Sequence, residues 1–122
     1  RRRRRDAQRL VEMRAVDIVQ PDVCYLGGLA RTLRVARMAH GAGLPCTPHS
    51  ANLSMVTLFT MHLLAAIPKA GKYLELSIEG PDYYPWQEGL FVESPYSVRD
   101  GEVTAASGST LLRSTGNISP VQ

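Results

Sequence analysis

Residues 15–50 read AVDIVQPDVCYLGGLARTLRVARMAHGAGLPCTPHS, and this stretch decides the fold. Ala15-Val16-Asp17-Ile18-Val19 is a β-prone run stopped by Pro21. After the turn pair Gly27-Gly28, the residues Leu29, Leu33, Ala36 and Ala39 or His40 recur at helical spacing, while Arg31, Arg34 and Arg37 line another face. Gly41 and Gly43 end that helix. Leu44-Pro45-Cys46-Thr47-Pro48 is extended, because its two prolines forbid a helix.

The same alternation continues on both sides. Upstream, Asp6 to Arg14 carries Ala7, Leu10, Val11 and Met13 among charges, a short amphipathic helix pattern. Downstream, Asn52 or Ser54 can cap a helix over Met55 to Ala66 that is apolar on nearly every side, so it must be buried, and Pro68 closes it. Lys72-Tyr73-Leu74-Glu75-Leu76-Ser77 then alternates like a strand. Helices between short strands imply parallel βαβ units, since a parallel pair needs a crossover long enough to hold a helix. The expected class is α/β.

Spacing sharpens this. Asp22 lies just past the first strand, His49 ends the second 27 residues later, and Glu75 lies in the third after a further 26. One β/α unit per interval puts three ionisable side chains at similar heights on successive strands, and in (β/α)₈ barrels catalytic groups converge at the C-terminal strand ends. Three units are only part of a barrel, which takes about 250 residues. Past Ser77 the character changes: Tyr83, Tyr84 and Trp86 stand in an aromatic loop, and Val98 to Val103 gives a hairpin signal around Asp100-Gly101. Beyond Thr104 the chain is rich in Ser, Thr and Gly, the composition of a disordered tail.

A chain of 122 residues with 44% hydrophobic residues fits one small domain or part of a larger one. Its net charge of +3 comes from one end: without Arg1–Arg5, nine basic residues face eleven acidic ones, a net of −2. No aromatic residue is interleaved with that basic run, so no specific nucleic-acid partner is expected. Met55 to Pro68 is shorter than the ~20 residues of a membrane span, and the polar stretch after the arginines is unlike a secretory signal. The cytoplasm is the default location. Cys24 and Cys46 have no His or Cys at metal-ligand spacing and are expected to be buried free thiols.

The residues Asp17-Ile18-Val19-Gln20-Pro21-Asp22 followed by Gly27-Gly28, then Pro48-His49-Ser50, then His62 to Pro68, and last Tyr73-Leu74-Glu75, together resemble the C-terminal part of an enolase-superfamily protein of the mandelate racemase and muconate-lactonizing-enzyme group. The resemblance covers about residues 6 to 103. It implies a partial (β/α)₈ TIM-type barrel: residues 1–5 a basic run, 6–77 the last three β/α units, 78–104 the return segment toward a capping domain, and 105–122 a disordered tail. The group's chemistry is Mg²⁺-assisted removal of the proton α to a carboxylate, giving an enediolate from which dehydration, racemisation and cycloisomerisation branch.

Carried over residue by residue, His49 resembles the imidazole base and Asp22 its partner carboxylate. An Asp accepting from one ring nitrogen sets the tautomer, leaves the other free to take a proton, and stabilises the imidazolium that forms. Glu75 matches an acid that donates to the enediolate oxygen, a role that calls for burial to raise its pKa. The retained His and Asp favour acid-sugar dehydration, with racemisation the neighbouring outcome.

The metal ligands of the group belong to preceding strands, so the expectation is a fragment that is inactive alone, with a small-molecule carboxylate as substrate only in the complete fold. Simpler readings exist for each residue. His49 alone reads as a structural histidine, Asp22 as an Asx turn or helix cap, Glu75 as a solvated strand residue, and His40 and His62 as core or surface groups. The competing functions are a non-catalytic assembly protein that self-associates through open strand edges, and a polyanion binder using Arg1–Arg5.

Overall fold

The computed structural model describes residues 2–50, 54–80, 82–85, 89–91 and 96–105, in two compact units that divide between Ile78 and Glu79. The first unit holds four helices: α1 (Arg2–Glu12), α2 (Val23–Leu26), α3 (Leu29–Gly41) and α4 (Met55–Ala66). Helix α1 begins at Arg2 rather than Asp6, so the basic run is helical from its second residue. It ends where Arg14 turns to φ 51 and the Ala15 N–H reaches Leu10 O at 3.0 Å. Helix α2 is absent from the sequence reading. Asp22 caps it by accepting from Tyr25 N, and Gly27 closes it with φ 82.

Parallel segments run between the helices, as the alternation requires, but each pairs through single bridges: Val19 with Cys46, Asp22 with His49, and Cys46 with Ala70. Proline explains the short pairing. Pro21, Pro45 and Pro48 have no N–H, so around them the chain can only accept: Val19 N donates to Pro45 O at 3.0 Å, and His49 N to Pro21 O at 3.0 Å. The third segment departs from expectation. Its bridge falls at Ala70, where Gly71 N donates to Cys46 O at 2.8 Å, and residues 72–80 form no strand despite their alternating pattern. Alternation records which side chains face inward, whereas a ladder also needs a partner edge in register.

Gly71 marks a tight approach between segments. A Cβ there would lie 1.6 Å from Thr47 Oγ1. The core of this unit gathers Val11 of α1, Val35, Ala36 and Ala39 of α3, Leu63 of α4, and Val19 and Cys46 of the parallel segments. Each valine or leucine among them contributes roughly 1.5–3 kcal/mol on full burial. Arg31, Arg34 and Arg37 stand on the exposed face of α3, and His40 and His62 are exposed. Helix α4 buries Thr57, Leu58, Thr60, Met61 and Leu63, and Ser54 caps it by accepting from Val56 N. Asn52, the other expected cap, lies outside the described residues. Cys46 is buried as expected, and burial pushes its thiol up to about 11, whereas Cys24 is exposed on the short helix that the sequence did not announce.

In the second unit, β1 (Tyr96–Arg99) and β2 (Glu102–Ala105) pair antiparallel, with Val98 opposite Val103. Asp100 and Gly101 both have positive φ, 51 and 78, the left-handed pair that a two-residue hairpin turn requires and that Asp-Gly tolerates. Tyr83 meets Tyr84 edge-to-face at 4.7 Å, and Tyr84 is buried. Trp86 and residues 106–122, including the expected tail, lie outside the described residues. Among the described residues no helix is long and apolar enough to cross a membrane.

Candidate functional site

Three sequence-selected residues meet at one end of the parallel segments. The bridge between Asp22 and His49 places them side by side, and His49 Nδ1 lies 2.8 Å from Asp22 Oδ2. A carboxylate only accepts, so the Nδ1 proton lies on this bond in both the neutral and the charged ring. Asp22 does two things at once. Its Oδ1 accepts from Tyr25 N at 2.8 Å to cap α2 while Oδ2 holds the imidazole. The cap reading and the dyad reading of this residue are therefore the same structure.

Electrostatics follow from that arrangement. Partial burial pushes the Asp22 carboxyl up, but the His49 hydrogen bond, the Tyr25 and Cys24 backbone N–H groups and the His49 charge outweigh it and hold the carboxyl below its ordinary 3.8. The Asp22 side chain is 12% exposed, against 36% for His49 and 44% for Glu75. Glu75 approaches the ring from the other side. Its Oε1 lies 3.8 Å from His49 Nε2, and its Oε2 accepts from Ser50 N at 3.1 Å. The burial expected of Glu75 is not present, because the segment after Gly71 leaves the ladder and runs along the surface, with Ile78 96% exposed.

Ser50, which carries no role of its own in the Pro48-His49-Ser50 motif, is fully buried and its hydroxyl donates to Thr57 Oγ1 at 3.3 Å. The signal that finds it is its place directly after His49 and seven residues before a helical threonine. Metal chemistry does not fit these groups. Among the described residues no three His, Cys, Asp or Glu side chains gather to hold a cation, and both carboxylates at the site are engaged by His49 or Ser50.

A groove of about 350 Å³ opens beside this end of the unit, walled by Leu10 and Val11 of α1 and by Val16, Ile18 and Pro21. It touches Asp22 but not His49, and its walls are mostly apolar. Polyhydroxy acids would find few partners there.

The chain is similar in sequence and fold to known proteins. A Roseobacter denitrificans protein solved as a candidate racemase is 68% identical, with a TM-score of 0.79 over 86% of this chain and 28% of its own. L-Talarate dehydratase from Polaromonas sp. JS666, solved with Mg and L-glucarate, is 30% identical, with a TM-score of 0.65 over 91% of this chain and 27% of its own. D-Xylonate dehydratase of Haloferax volcanii is 31% identical over 95 residues, which are 77% of this chain and 22% of that protein. Arabinonate dehydratase of Saccharolobus solfataricus is 34% identical over 58 residues, 48% of this chain and 16% of that protein. The chain thus spans between 16% and 28% of these relatives' lengths. Residues 2–109 match the enolase C-terminal domain-like family, and the chain belongs to it, as a C-terminal part of that domain.

Proposed function

We propose that this chain is the C-terminal part of an enolase-superfamily acid-sugar dehydratase or racemase, in which His49 takes the proton α to the substrate carboxylate. The observation that carries the reading is the 2.8 Å bond from His49 Nδ1 to Asp22, which leaves Nε2 as the nitrogen that can accept a proton. The α C–H bond breaks toward Nε2, its electron pair moves into the enediolate, and the Asp22 carboxylate stabilises the imidazolium that results. In dehydration the same imidazolium returns the proton to the departing β-hydroxyl, which leaves as water; in racemisation a second acid on the opposite face must protonate the carbon, because return from His49 would restore the starting configuration. Glu75 borders the space beyond Nε2 and would donate to an enediolate oxygen only once the complete fold covers it, since here its carboxyl is exposed. Dehydration is favoured because the dehydratases of arabinonate and xylonate are among the relatives.

Mg²⁺, implied by the resemblance, is not held by the described residues; its ligands are assigned to preceding barrel strands. The proposed substrate is a small carboxylate, bound in the complete fold of a cytoplasmic enzyme. The apolar groove at the open edge of residues 16–22 favours a second reading, in which the chain pairs with another polypeptide and catalyses nothing.

A chimaera separates the two. Residues 2–109 replace the matching segment of the Roseobacter denitrificans relative, and α-proton exchange into deuterated water is followed on a panel of sugar acids. The expected result is exchange by the chimaera and a loss of about a hundredfold or more in its His49→Ala variant. A folded chimaera whose exchange is indifferent to His49→Ala refutes the role of His49. The isolated chain is expected to show no Mg²⁺-dependent turnover.

A further inference from the structure

Resting on the reading that Glu75 serves the same site as His49, we propose that Ser50 is a positioning residue. Its hydroxyl, anchored to Thr57 of α4, orients the His49–Ser50 peptide so that the Ser50 N–H grips one Glu75 oxygen and turns the other toward His49 Nε2.

The contacts form a continuous chain. Thr57 lies in the first turn of α4, is 1% exposed, and accepts from the Ser50 hydroxyl at 3.3 Å. Ser50 is itself 1% exposed, so this bond is sheltered from water and worth keeping. The Ser50 N–H donates to Glu75 Oε2 at 3.1 Å, and Oε1 is then left 3.8 Å from His49 Nε2. A backbone donor cannot rotate apart from its peptide plane. Whatever orients that plane therefore orients Glu75.

Glu75 needs such a tether. Its segment forms no strand, and the ladder bond of Gly71 to Cys46 lies four residues back. The tether also selects an oxygen. An N–H only donates, so Oε2 is its acceptor and Oε1 is the oxygen left facing His49. The apolar face of α4 and the chemistry at His49 are joined through one buried hydroxyl.

The test uses amide NMR of the 122-residue chain. In the Glu75→Gln variant the Ser50 amide proton is expected to move upfield, the largest change outside the immediate neighbours of residue 75. In Thr57→Val the Ser50 amide is expected to exchange with solvent about five- to tenfold faster, the equivalent of one neutral hydrogen bond. Indifference of the Ser50 amide to Glu75→Gln overturns the grip on Glu75. A Ser50–Thr57 contact that only stabilised the fold would leave the Glu75 carboxyl carbon resonance unchanged in Ser50→Ala, which keeps the N–H and removes the hydroxyl, and that result overturns the proposal. Glu75 is exposed, so its variant reads the amide contact even if Thr57→Val does not fold. Asp22→Asn, read at the His49 ring nitrogens, reports on the dyad separately: an unchanged ring tautomer refutes the dyad and leaves the Ser50 result standing.

Discussion

The two flanks of the His49 ring are built differently. On the Asp22 flank, a parallel bridge, two backbone bonds around Pro21 and Pro45, and a helix cap all converge on one carboxylate, which is nearly buried. On the Glu75 flank, pairing stops at Ala70, and a half-exposed carboxylate is held through a backbone N–H of the neighbouring segment. The first flank is rigid because secondary structure itself places the carboxylate. The second depends on a side chain, Ser50, that belongs to neither partner. Under the proposed function, His49 as a base would need a partner that sets its tautomer permanently, whereas Glu75 as a group meeting the substrate could be held by a single adjustable contact.

That contrast predicts a ranking of effects. Asp22→Ala should be the most damaging change, since it removes the cap of α2 and leaves the His49 Nδ1 proton without its acceptor. We expect a loss of about 2–3 kcal/mol in urea unfolding; a loss under about 0.5 kcal/mol would break the claim that this flank is structural. Gly71→Ala should cost about 2 kcal/mol, because the added Cβ would collide with Thr47 Oγ1 where the third segment joins Cys46. Coupling that to Thr47→Ala should recover part of the loss, which a double-mutant cycle measures. Full additivity would mean that the strain lies elsewhere.

Acid should act on the Asp22 flank. The folded-state carboxyl titrates below its ordinary 3.8, so the unfolded chain takes up this proton first as the pH falls. Its contribution to stability is complete above about pH 4 and is lost as the pH drops through the folded-state value. Asp22→Asn should flatten that part of the stability curve, and a wild-type curve already flat below pH 4 would contradict the assignment. The smallest effect belongs to Glu75→Gln, a change within about 0.5 kcal/mol at an exposed site. Its consequence should appear in the Ser50 amide and in proton exchange by the chimaera, not in unfolding. A large loss of stability would show that Glu75 supports the fold as firmly as Asp22 does.

What the residue order alone determined is what depends on neighbours along the chain. The helical spacing of α3, the cap at Ser54 and the Asp100-Gly101 turn are local events, in which a side chain or a positive φ acts within a few residues. The 27-residue interval carried the site further, because one β/α unit brings Asp22 and His49 side by side, whereas the 26-residue interval put Glu75 in a strand that does not form. Only the tertiary structure decided the rest. It put the cap and the ring partner on the two oxygens of one Asp22, moved the third pairing from residues 72–77 to Ala70, and tied Glu75 to α4 through Ser50 and Thr57. Each of these depends on which surfaces meet across 20 or more residues of chain or through a buried hydroxyl, and the free energy of such a meeting is set by fit and burial, which no local spacing encodes.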